Sequence, residues 1–284
     1  MSKYRGSAPG KIILSGEYAV VFGHPGIAVP SSRCIQITFI EDPSEKNAKI
    51  QWNGITGDER WTMHLLHIIH ECQKIARREF RGTVRVHNEL PLGKGMGSST
   101  ALLIAAVRCF LGEDSEEPAR ALEDLFSPGH SGIDFTVIWH GKPVMFQHGK
   151  PTTNATISMN LLKESILVDS GTPNEPTPEL VAWIRSREED VTPSLEIIGK
   201  CTERLFNGDE PMQIFRDHHR AQVRLGVVPH DVQELIERIE RLGGAAKVTG
   251  AGAKTGGGGI VIALHPDPEA LENEIPLAYP PMRP

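Results

Sequence analysis

A glycine-rich loop directly before an apolar helix pattern has the clearest chemical meaning in this sequence. It reads Pro91-Leu92-Gly93-Lys94-Gly95-Met96-Gly97-Ser98-Ser99-Thr100. Glycines let backbone N–H groups converge, and the helix that follows offers unpaired N–H groups and the positive end of its dipole. The loop therefore predicts a phosphate site, with serine hydroxyls available to a phosphate or to Mg²⁺. It matches neither GxxxxGK[ST] nor GxGxxG, and a glycine turn capped by serine is the alternative.

Two further glycine clusters lie far along the chain from this loop, and the three form an ordered set of motifs. The first spans residues 8–23, and the last spans 247–252 and is followed by four glycines at 256–259. In composition and order these segments resemble the three motifs of the GHMP kinase family, and the first has the form typical of its mevalonate kinases. The resemblance covers almost the whole chain and implies an ATP- and Mg²⁺-dependent kinase with an alcohol as acceptor.

The resemblance also implies an α+β fold in two parts. Residues 1–150 would form an ATP-binding N-terminal domain, ribosomal S5 domain 2-like, and residues 151–284 a ferredoxin-like C-terminal domain. ATP and the acceptor would lie in the cleft between them, so that distant glycine clusters serve one site. The ATP-binding residues implied by the match are Gly93, Lys94, Gly95, Met96, Gly97, Ser98, Ser99 and Thr100.

An aspartate and a lysine are the candidates for the chemistry of phosphoryl transfer. Asp134 ends the segment Ser131-Gly132-Ile133-Asp134, which resembles the family segment that carries the catalytic aspartate. A carboxylate there can accept the proton of the acceptor hydroxyl or orient that hydroxyl. Lys11 matches the lysine of the first motif, where its ammonium would lower the pKa of the hydroxyl and offset phosphate charge. The alternatives are an aspartate that caps a turn and a solvated lysine.

A magnesium ion would need oxygen ligands beside the glycine loop. Glu123 lies eleven residues before Asp134, which is the spacing of the Mg²⁺-binding glutamate in mevalonate kinases. Because Mg²⁺ prefers carboxylate, hydroxyl and phosphate oxygens, the resemblance implies a metal site formed by Ser98 and Glu123. Asp124 is the alternative ligand if the register differs by one residue.

The residues expected to bind the acceptor give a divided prediction. Glu17, Tyr18 and Thr177 occupy substrate-binding positions of the family motifs, but mevalonate kinases usually have histidine where Tyr18 stands. Tyrosine at this position is familiar from phosphomevalonate kinases, which are the alternative. Glu175 replaces a nearby basic residue, and this loss of positive charge favours an acceptor without an added phosphate.

The charges of the predicted acceptor pocket favour mevalonate. Segments 16–25, 131–134 and 171–178 contain neither lysine nor arginine. Mevalonate carries one carboxylate, whereas a phosphate monoester adds about −1.5 to −2 charge near neutral pH. A pocket for the phosphorylated compound should offer several cations, so the sequence predicts mevalonate as the acceptor.

The third motif departs from the family pattern by an insertion. Its first residues match the usual run: Thr249, Gly250, Ala251 and Gly252. Ala253, Lys254 and Thr255 then precede the four glycines. Lys254 would either contact a phosphate or remain solvated, and the solvated state is the favoured interpretation.

The composition of the 284 residues limits the class of protein. Hydrophobic residues make up 39%, so the chain can bury a sizeable core. The net charge of −6 comes with no basic block, which disfavours nucleic acid and anionic membranes as partners. No apolar run approaches the ~20 residues of a membrane span. Four cysteines without CxxC spacing fit a reducing, cytoplasmic location, and His218-His219 lacks a metal-binding pattern.

Apolar periodicity predicts secondary structure at several positions that matter below. Residues 99–111 show the pattern of a buried helix, and residues 137–146, broken at Gly141-Lys142, resemble a hairpin. The apolar positions of residues 229–242 indicate a core helix face, with a homodimer interface as the alternative. The proline-rich tail after Pro266 is expected to pack loosely.

Overall fold

A computed structural model describes residues 2–150, 152–155 and 159–284 of the protein. The strands are β1 Lys3–Ser15, β2 Gly26–Glu41, β3 Ala48–Gly54, β4 Gly82–Asn88, β5 Val144–Phe146, β6 Thr153–Asn154, β7 Ser165–Asp169, β8 Ala245–Thr249, β9 Ile260–Leu264 and β10 Pro281–Met282. The helices are α1 Glu59–Ala76, α2 Ser98–Leu111, α3 Glu116–Phe126, α4 Ile133–His140, α5 Met159–Lys163, α6 Thr177–Arg185, α7 Glu188–Phe206, α8 Pro211–Leu225, α9 His230–Arg241 and α10 Pro268–Glu274.

The N-terminal half folds around a mixed sheet centred on the long strand β2. Strand β1 pairs antiparallel with β2 over most of its length, while β4 and β5 pair with the later and earlier parts of β2. Strand β3 lies parallel to β4, and β6 pairs with β5. Helix α2 packs so closely on β1 that a methyl group on Gly6 would lie 2.2 Å from the carbonyl oxygen of Ala105. Glycine at this position allows α2 to lie directly against β1, the strand that carries the first motif.

The C-terminal half contains an antiparallel sheet in the order β10-β7-β9-β8. Counted along the chain within this half, the strand order is 4-1-3-2. Helices α6 to α9 connect its first and second strands, and α10 precedes the fourth. This is the ferredoxin-like arrangement, so the α+β prediction for this half is confirmed.

One apolar cluster joins the two halves of the molecule. It contains Ile12 of β1, Phe215 of α8 and Ile262 of β9, none of which has exposed surface. Burying apolar surface contributes about 25 cal/mol per Å², so this shared core stabilises the relative position of the first and third motifs.

Two expectations about partners can be compared with the fold. The apolar face of α9, which includes Val232, Leu235 and Ile239, is buried within the chain. The prediction of a core helix face is therefore confirmed, and this face is closed to a second copy. Within the described part of the chain, no helix has both the length and the apolar character that a membrane span requires.

Two local predictions were wrong. Residues 133–140 form helix α4 instead of the first arm of a hairpin, because their apolar side chains are mostly buried together and Gly141 ends the helix with φ +62°. Only Val144–Phe146 forms a strand in this region. The tail after Pro266 is also ordered, since Asp267 caps α10 and β10 pairs with β7.

The division of the chain between residues 150 and 151 stays a prediction. Residue 151 lies outside the described residues, as do residues 156–158. Strand β6 at Thr153–Asn154 pairs with β5, so the first sheet continues for a few residues past position 150.

Candidate active site

A cavity of about 520 Å³ lies between the two halves of the chain. Its wall combines β1, the glycine loop, α3, and the starts of α4 and α6 with the third motif. The residues predicted from sequence that line it are Lys11, Glu17, Tyr18, Gly93, Gly95, Gly97, Ser98, Ser99, Thr100, Glu123, Asp134, Thr177, Gly250 and Ala251. The fold therefore brings all three motifs to one cavity.

Lys11 and Asp134 form an ion pair in this cavity, with 3.3 Å between Nζ and Oδ1. Lys11 follows an irregularity in the pairing of β1 with β2, and its backbone N–H donates to the carbonyl oxygen of Met96 at 3.0 Å. Asp134 lies in the first turn of α4, where the helix dipole favours negative charge. The Lys11 side chain is 3% exposed and that of Asp134 35%, so the carboxylate is the member that a ligand can reach.

The glycine loop presents the N-terminus of α2 to the cavity. Gly93, Gly95 and Gly97 all have positive φ, a conformation that other residues resist. Gly97 is the N-cap of α2 and has no side chain to accept from the first-turn N–H groups, which leaves these donors unpaired within the helix. A methyl group on Gly97 would lie 2.9 Å from Cγ of Lys11. Glycine therefore lets the loop pass directly over the candidate lysine.

Glu123 enters the cavity wall from α3 as a buried carboxylate. The hydroxyl of Thr100 donates to its Oε1 at 2.8 Å. Burial raises the pKa of Glu123, and the hydrogen bond from Thr100 opposes that shift. Asp124 instead is exposed and lies 2.7 Å from Nε2 of His130. Of the two neighbouring carboxylates, Glu123 is therefore the one placed beside the glycine loop.

Two residues of the predicted ATP-binding run have side chains directed away from the cavity. Nζ of Lys94 lies 2.6 Å from Oδ2 of Asp169 at the end of β7. Met96 is fully buried in the apolar core. The loop therefore offers backbone groups at these two positions, while the Lys94 side chain joins the N-terminal half to the C-terminal sheet.

The third motif is tied to the first by hydrogen bonds. Oγ1 of Thr249 accepts from the backbone N–H of Ile13 at 3.0 Å. The Tyr18 hydroxyl donates to the carbonyl oxygen of Ala251, and burial together with nearby carboxylates raises the pKa of Tyr18. Gly252 lies outside the lining, packed against the carbonyl oxygen of Val227. The donor of Tyr18 is thus already engaged by the protein, so its binding of an acceptor stays a prediction.

Glu17 belongs to a buried charge network beneath the cavity. The ammonium of Lys247 donates to its Oε1, to the carbonyl oxygen of Ile13 at 3.2 Å and to that of Val248 at 3.0 Å. Nε2 of His218 lies 2.9 Å from Oε2 of Glu17. Burial alone would raise the pKa of Glu17, but attraction to Lys247 and His218 outweighs it and lowers the pKa to about 2. Glu17 therefore neutralises the buried ammonium of Lys247, while burial lowers the pKa of His218 and favours its neutral form.

Helix α6 contributes a row of residues to the cavity wall. Thr177, Val181 and Arg185 all line it, and residues four apart share one helix face. Arg185 comes from the last turn of α6 and remains exposed. It adds an arginine to the cavity wall, although the predicted acceptor segments contain neither lysine nor arginine.

Comparison with known proteins agrees with this geometry. The GHMP kinases N terminal domain model matches residues 64–138, and the GHMP kinases C terminal model matches residues 204–276. A mevalonate kinase of Pyrococcus furiosus is 30% identical over 310 residues, which cover 92% of this chain and 89% of that protein. The chain belongs to the GHMP kinase family. The N-terminal match contains the glycine loop and Asp134, and the C-terminal match contains the third motif.

Solved structures show the same fold as this GHMP kinase. The Methanococcus jannaschii mevalonate kinase superposes with a TM-score of 0.78 at 20% identity, over 96% of this chain and 93% of that one. An L. major mevalonate kinase in complex with R-mevalonate superposes with a TM-score of 0.73 at 17% identity, over 100% and 96% of the two chains. Both agree with the α+β architecture described above.

Sequence reasoning missed two cationic residues and one histidine of this GHMP kinase site. Arg185 could have been found from its spacing, because it lies eight residues after Thr177 and so shares its face of a helix. Lys247 was visible as the first residue of the third motif, but nothing local marks it as the partner of Glu17. His218 carries no sequence signal, since its role depends on burial against a residue about 200 positions earlier.

Proposed function

We propose that this GHMP kinase transfers the terminal phosphoryl group of ATP to the primary hydroxyl of mevalonate, giving 5-phosphomevalonate for isoprenoid precursor synthesis. The observation that carries the proposal is the Lys11–Asp134 pair at 3.3 Å, in the same cavity as the N-terminus of α2. A hydroxyl at Asp134 would face a phosphate held at that helix terminus. The name of the 30% identical relative, mevalonate kinase, supports mevalonate as the acceptor.

The glycine loop fits the phosphates of ATP on its own geometry. Gly93, Gly95 and Gly97 have positive φ, and the uncapped first turn of α2 offers backbone donors with a favourable dipole. A methyl group on Gly95 would lie 2.5 Å from the carbonyl oxygen of Thr249, so only glycine fits at this position of the loop. When bound, ATP supplies the phosphoryl group, and the loop and helix would hold its phosphates.

Within this site the chain's residues have separate roles. Asp134 would take the hydroxyl proton, or hold it while the oxygen attacks, at its cavity-facing carboxylate. Lys11 would place a positive charge beside the developing alkoxide. The α2 N-terminus would offset phosphate charge as the bond to the acceptor forms. Positioning and charge compensation are the main means by which enzymes accelerate phosphoryl transfer.

Ser98 and Glu123 fit a hard cation by the chemistry of their oxygens. Glu123 is 3% exposed and Ser98 4%, and both line the cavity. A buried carboxylate with a single hydroxyl donor is poorly compensated in the protein alone, and Mg²⁺ accepts such oxygens together with phosphate and water. We assign these two residues as the Mg²⁺ ligands of the proposed kinase.

Ser98→Ala and Glu123→Gln are expected to raise the Mg²⁺ concentration required for half-maximal rate, by about tenfold or more if each supplies one charge-assisted contact. The measurement is the initial rate as a function of free Mg²⁺, at fixed total concentrations of ATP and mevalonate. Asp124→Asn is the control, because Asp124 is exposed and does not line the cavity. Equal Mg²⁺ dependence in wild type and both variants would place the metal elsewhere.

The charges of the cavity support mevalonate over phosphomevalonate, the alternative acceptor. Among the described residues, the lysine and arginine side chains that line the cavity are Lys11 and Arg185. Lys11 is paired with Asp134, which leaves Arg185 for an anionic group of the acceptor. One guanidinium matches one carboxylate, whereas an added phosphate would need further cations.

The acceptor is tested by ADP release with mevalonate and phosphomevalonate offered separately. We expect a higher kcat/KM for mevalonate. Arg185→Gln should raise KM for mevalonate about 10- to 100-fold, because hydrogen bonds to charged groups contribute about 1.5–3 kcal/mol, with a smaller change in kcat. Arg241→Gln, an exposed arginine of α9, is the control.

Two results would contradict this assignment in different ways. A higher kcat/KM for phosphomevalonate would change the acceptor and leave the kinase proposal standing. No ADP release with either compound, while ATP still binds, would remove the proposed reaction. A cytoplasmic location, the absence of nucleic-acid and membrane partners, and a homodimer stay predictions.

A further inference from the structure

One carboxylate, that of Glu175, accepts three hydrogen bonds from the insertion in the third motif. Oε2 of Glu175 accepts from the backbone N–H groups of Lys254 at 3.0 Å and Thr255 at 3.2 Å. Oε1 of Glu175 accepts from the Thr255 hydroxyl at 2.7 Å. The Asn174 side chain also donates to Oγ1 of Thr255, at 3.2 Å. Both oxygens of Glu175 are therefore committed to the insertion, and this side chain is not part of the cavity wall.

The insertion also contacts helix α6 directly. Nζ of Lys254 lies 4.9 Å from the centre of the Trp183 ring, a cation–π distance. Trp183 lies on α6 between Thr177 and Arg185, the polar residues that α6 places in the cavity wall. Glu175 itself precedes the first residue of α6 by two positions. The insertion thus touches both the loop before α6 and the helix itself.

Backbone hydrogen bonds fix both ends of the insertion, one to a buried residue and one to the loop before α6. At its first residue, the N–H of Ala253 donates to the carbonyl oxygen of Val227 at 3.0 Å. After it, the N–H of Gly257 donates to the carbonyl oxygen of Thr172 at 2.9 Å. The insertion therefore connects the loop before α6 to the rest of the third motif.

We infer that Glu175 is a positioning residue for the acceptor site, which fixes Thr177 and Arg185 by fastening the loop before α6 to the inserted Lys254–Thr255. The inference rests on the proposed function for its kinetic consequence. Hydrogen bonds to an ionised carboxylate are stronger than those between neutral groups. Direct repulsion or binding of the acceptor by Glu175 is a different role, because it would require the carboxylate to face the cavity.

The kinetic test compares Glu175→Gln, Thr255→Val and the double variant. We expect KM for mevalonate to rise about three- to tenfold in Glu175→Gln, with kcat and KM for ATP within twofold, as for lost ground-state binding. Thr255→Val should show a smaller rise, and Thr255→Ser, which keeps the hydroxyl, should match wild type. KM for mevalonate in the double variant should be no higher than in Glu175→Gln, because both changes break the same contact. Glu179→Gln, an exposed glutamate of α6, is the control.

A second readout needs no substrate and so separates this inference from the proposed function. Lys254 is exposed, and trypsin cleaves after lysine where the chain can leave its folded conformation. We expect Glu175→Gln to accelerate cleavage after Lys254 several-fold, and Glu179→Gln to leave it unchanged. Faster cleavage would support the tether even if mevalonate proved not to be the acceptor.

Three outcomes would overturn the inference. An unchanged KM in Glu175→Gln together with unchanged cleavage would show that these contacts neither position the acceptor site nor restrain the insertion. A lower KM for mevalonate in Glu175→Gln would show direct repulsion of the acceptor. Independent, additive effects of Glu175→Gln and Thr255→Val would show that the two residues do not act through one contact.

Discussion

The Asp134→Asn variant is expected to bind ATP as the wild-type protein does and to lose about 10²- to 10⁴-fold in kcat. Its carboxylate is the exposed member of the pair with Lys11, so it is the group that can reach the acceptor hydroxyl. Asparagine keeps the shape but cannot take the proton. The measurement is steady-state kcat with mevalonate, together with ATP affinity by calorimetry.

A control and a double variant separate chemistry from folding in this experiment. Asp231→Asn changes an exposed aspartate of α9 and should retain full kcat. Lys11→Met and Lys11→Met/Asp134→Asn should lose similar amounts, because residues that act as a unit are not additive. A kcat for Asp134→Asn within threefold of wild type would show that this carboxylate has no part in the reaction.

The Glu17→Gln variant is expected to lower the free energy of unfolding by about 3–5 kcal/mol, the usual cost of removing one partner of a buried ion pair. Glu17 and Lys247 have side chains with 1% and 0% exposure, so water cannot replace the lost carboxylate. Glutamine preserves the size of the side chain and leaves Lys247 unpaired. Urea unfolding followed by circular dichroism measures the change.

A compensating variant makes this prediction specific to charge. Glu17→Gln/Lys247→Met removes both charges and should be more stable than Glu17→Gln alone. Glu237→Gln removes a glutamate from an exposed pair with Arg241 and should cost no more than about 1 kcal/mol. If Glu17→Gln lost less than that surface control, the buried network would not contribute to stability as described.

Much of the catalytic centre could be predicted from sequence because its elements are local. A glycine loop followed by an apolar helix pattern determines where unpaired N–H groups occur, whatever surrounds them. The motif matches at Lys11, Glu123 and Asp134 singled out individual side chains, and all three line the cavity. Local patterns failed at residues 137–146, where the short apolar run fits a strand and a helix equally well.

The pairing of distant side chains was decided only by the tertiary structure. Glu17 could be assigned to the acceptor from its motif, but the crossing of β1 with β8 and α8 places it against Lys247 and His218. Glu175 was interpreted from the loss of a basic residue at its position. Its carboxylate oxygens in fact accept hydrogen bonds from an insertion about 80 residues later. Sequence spacing determines which residues share a strand or helix face. Which faces meet depends on sheet order and packing. These also determine which side chain becomes the partner of each buried charge.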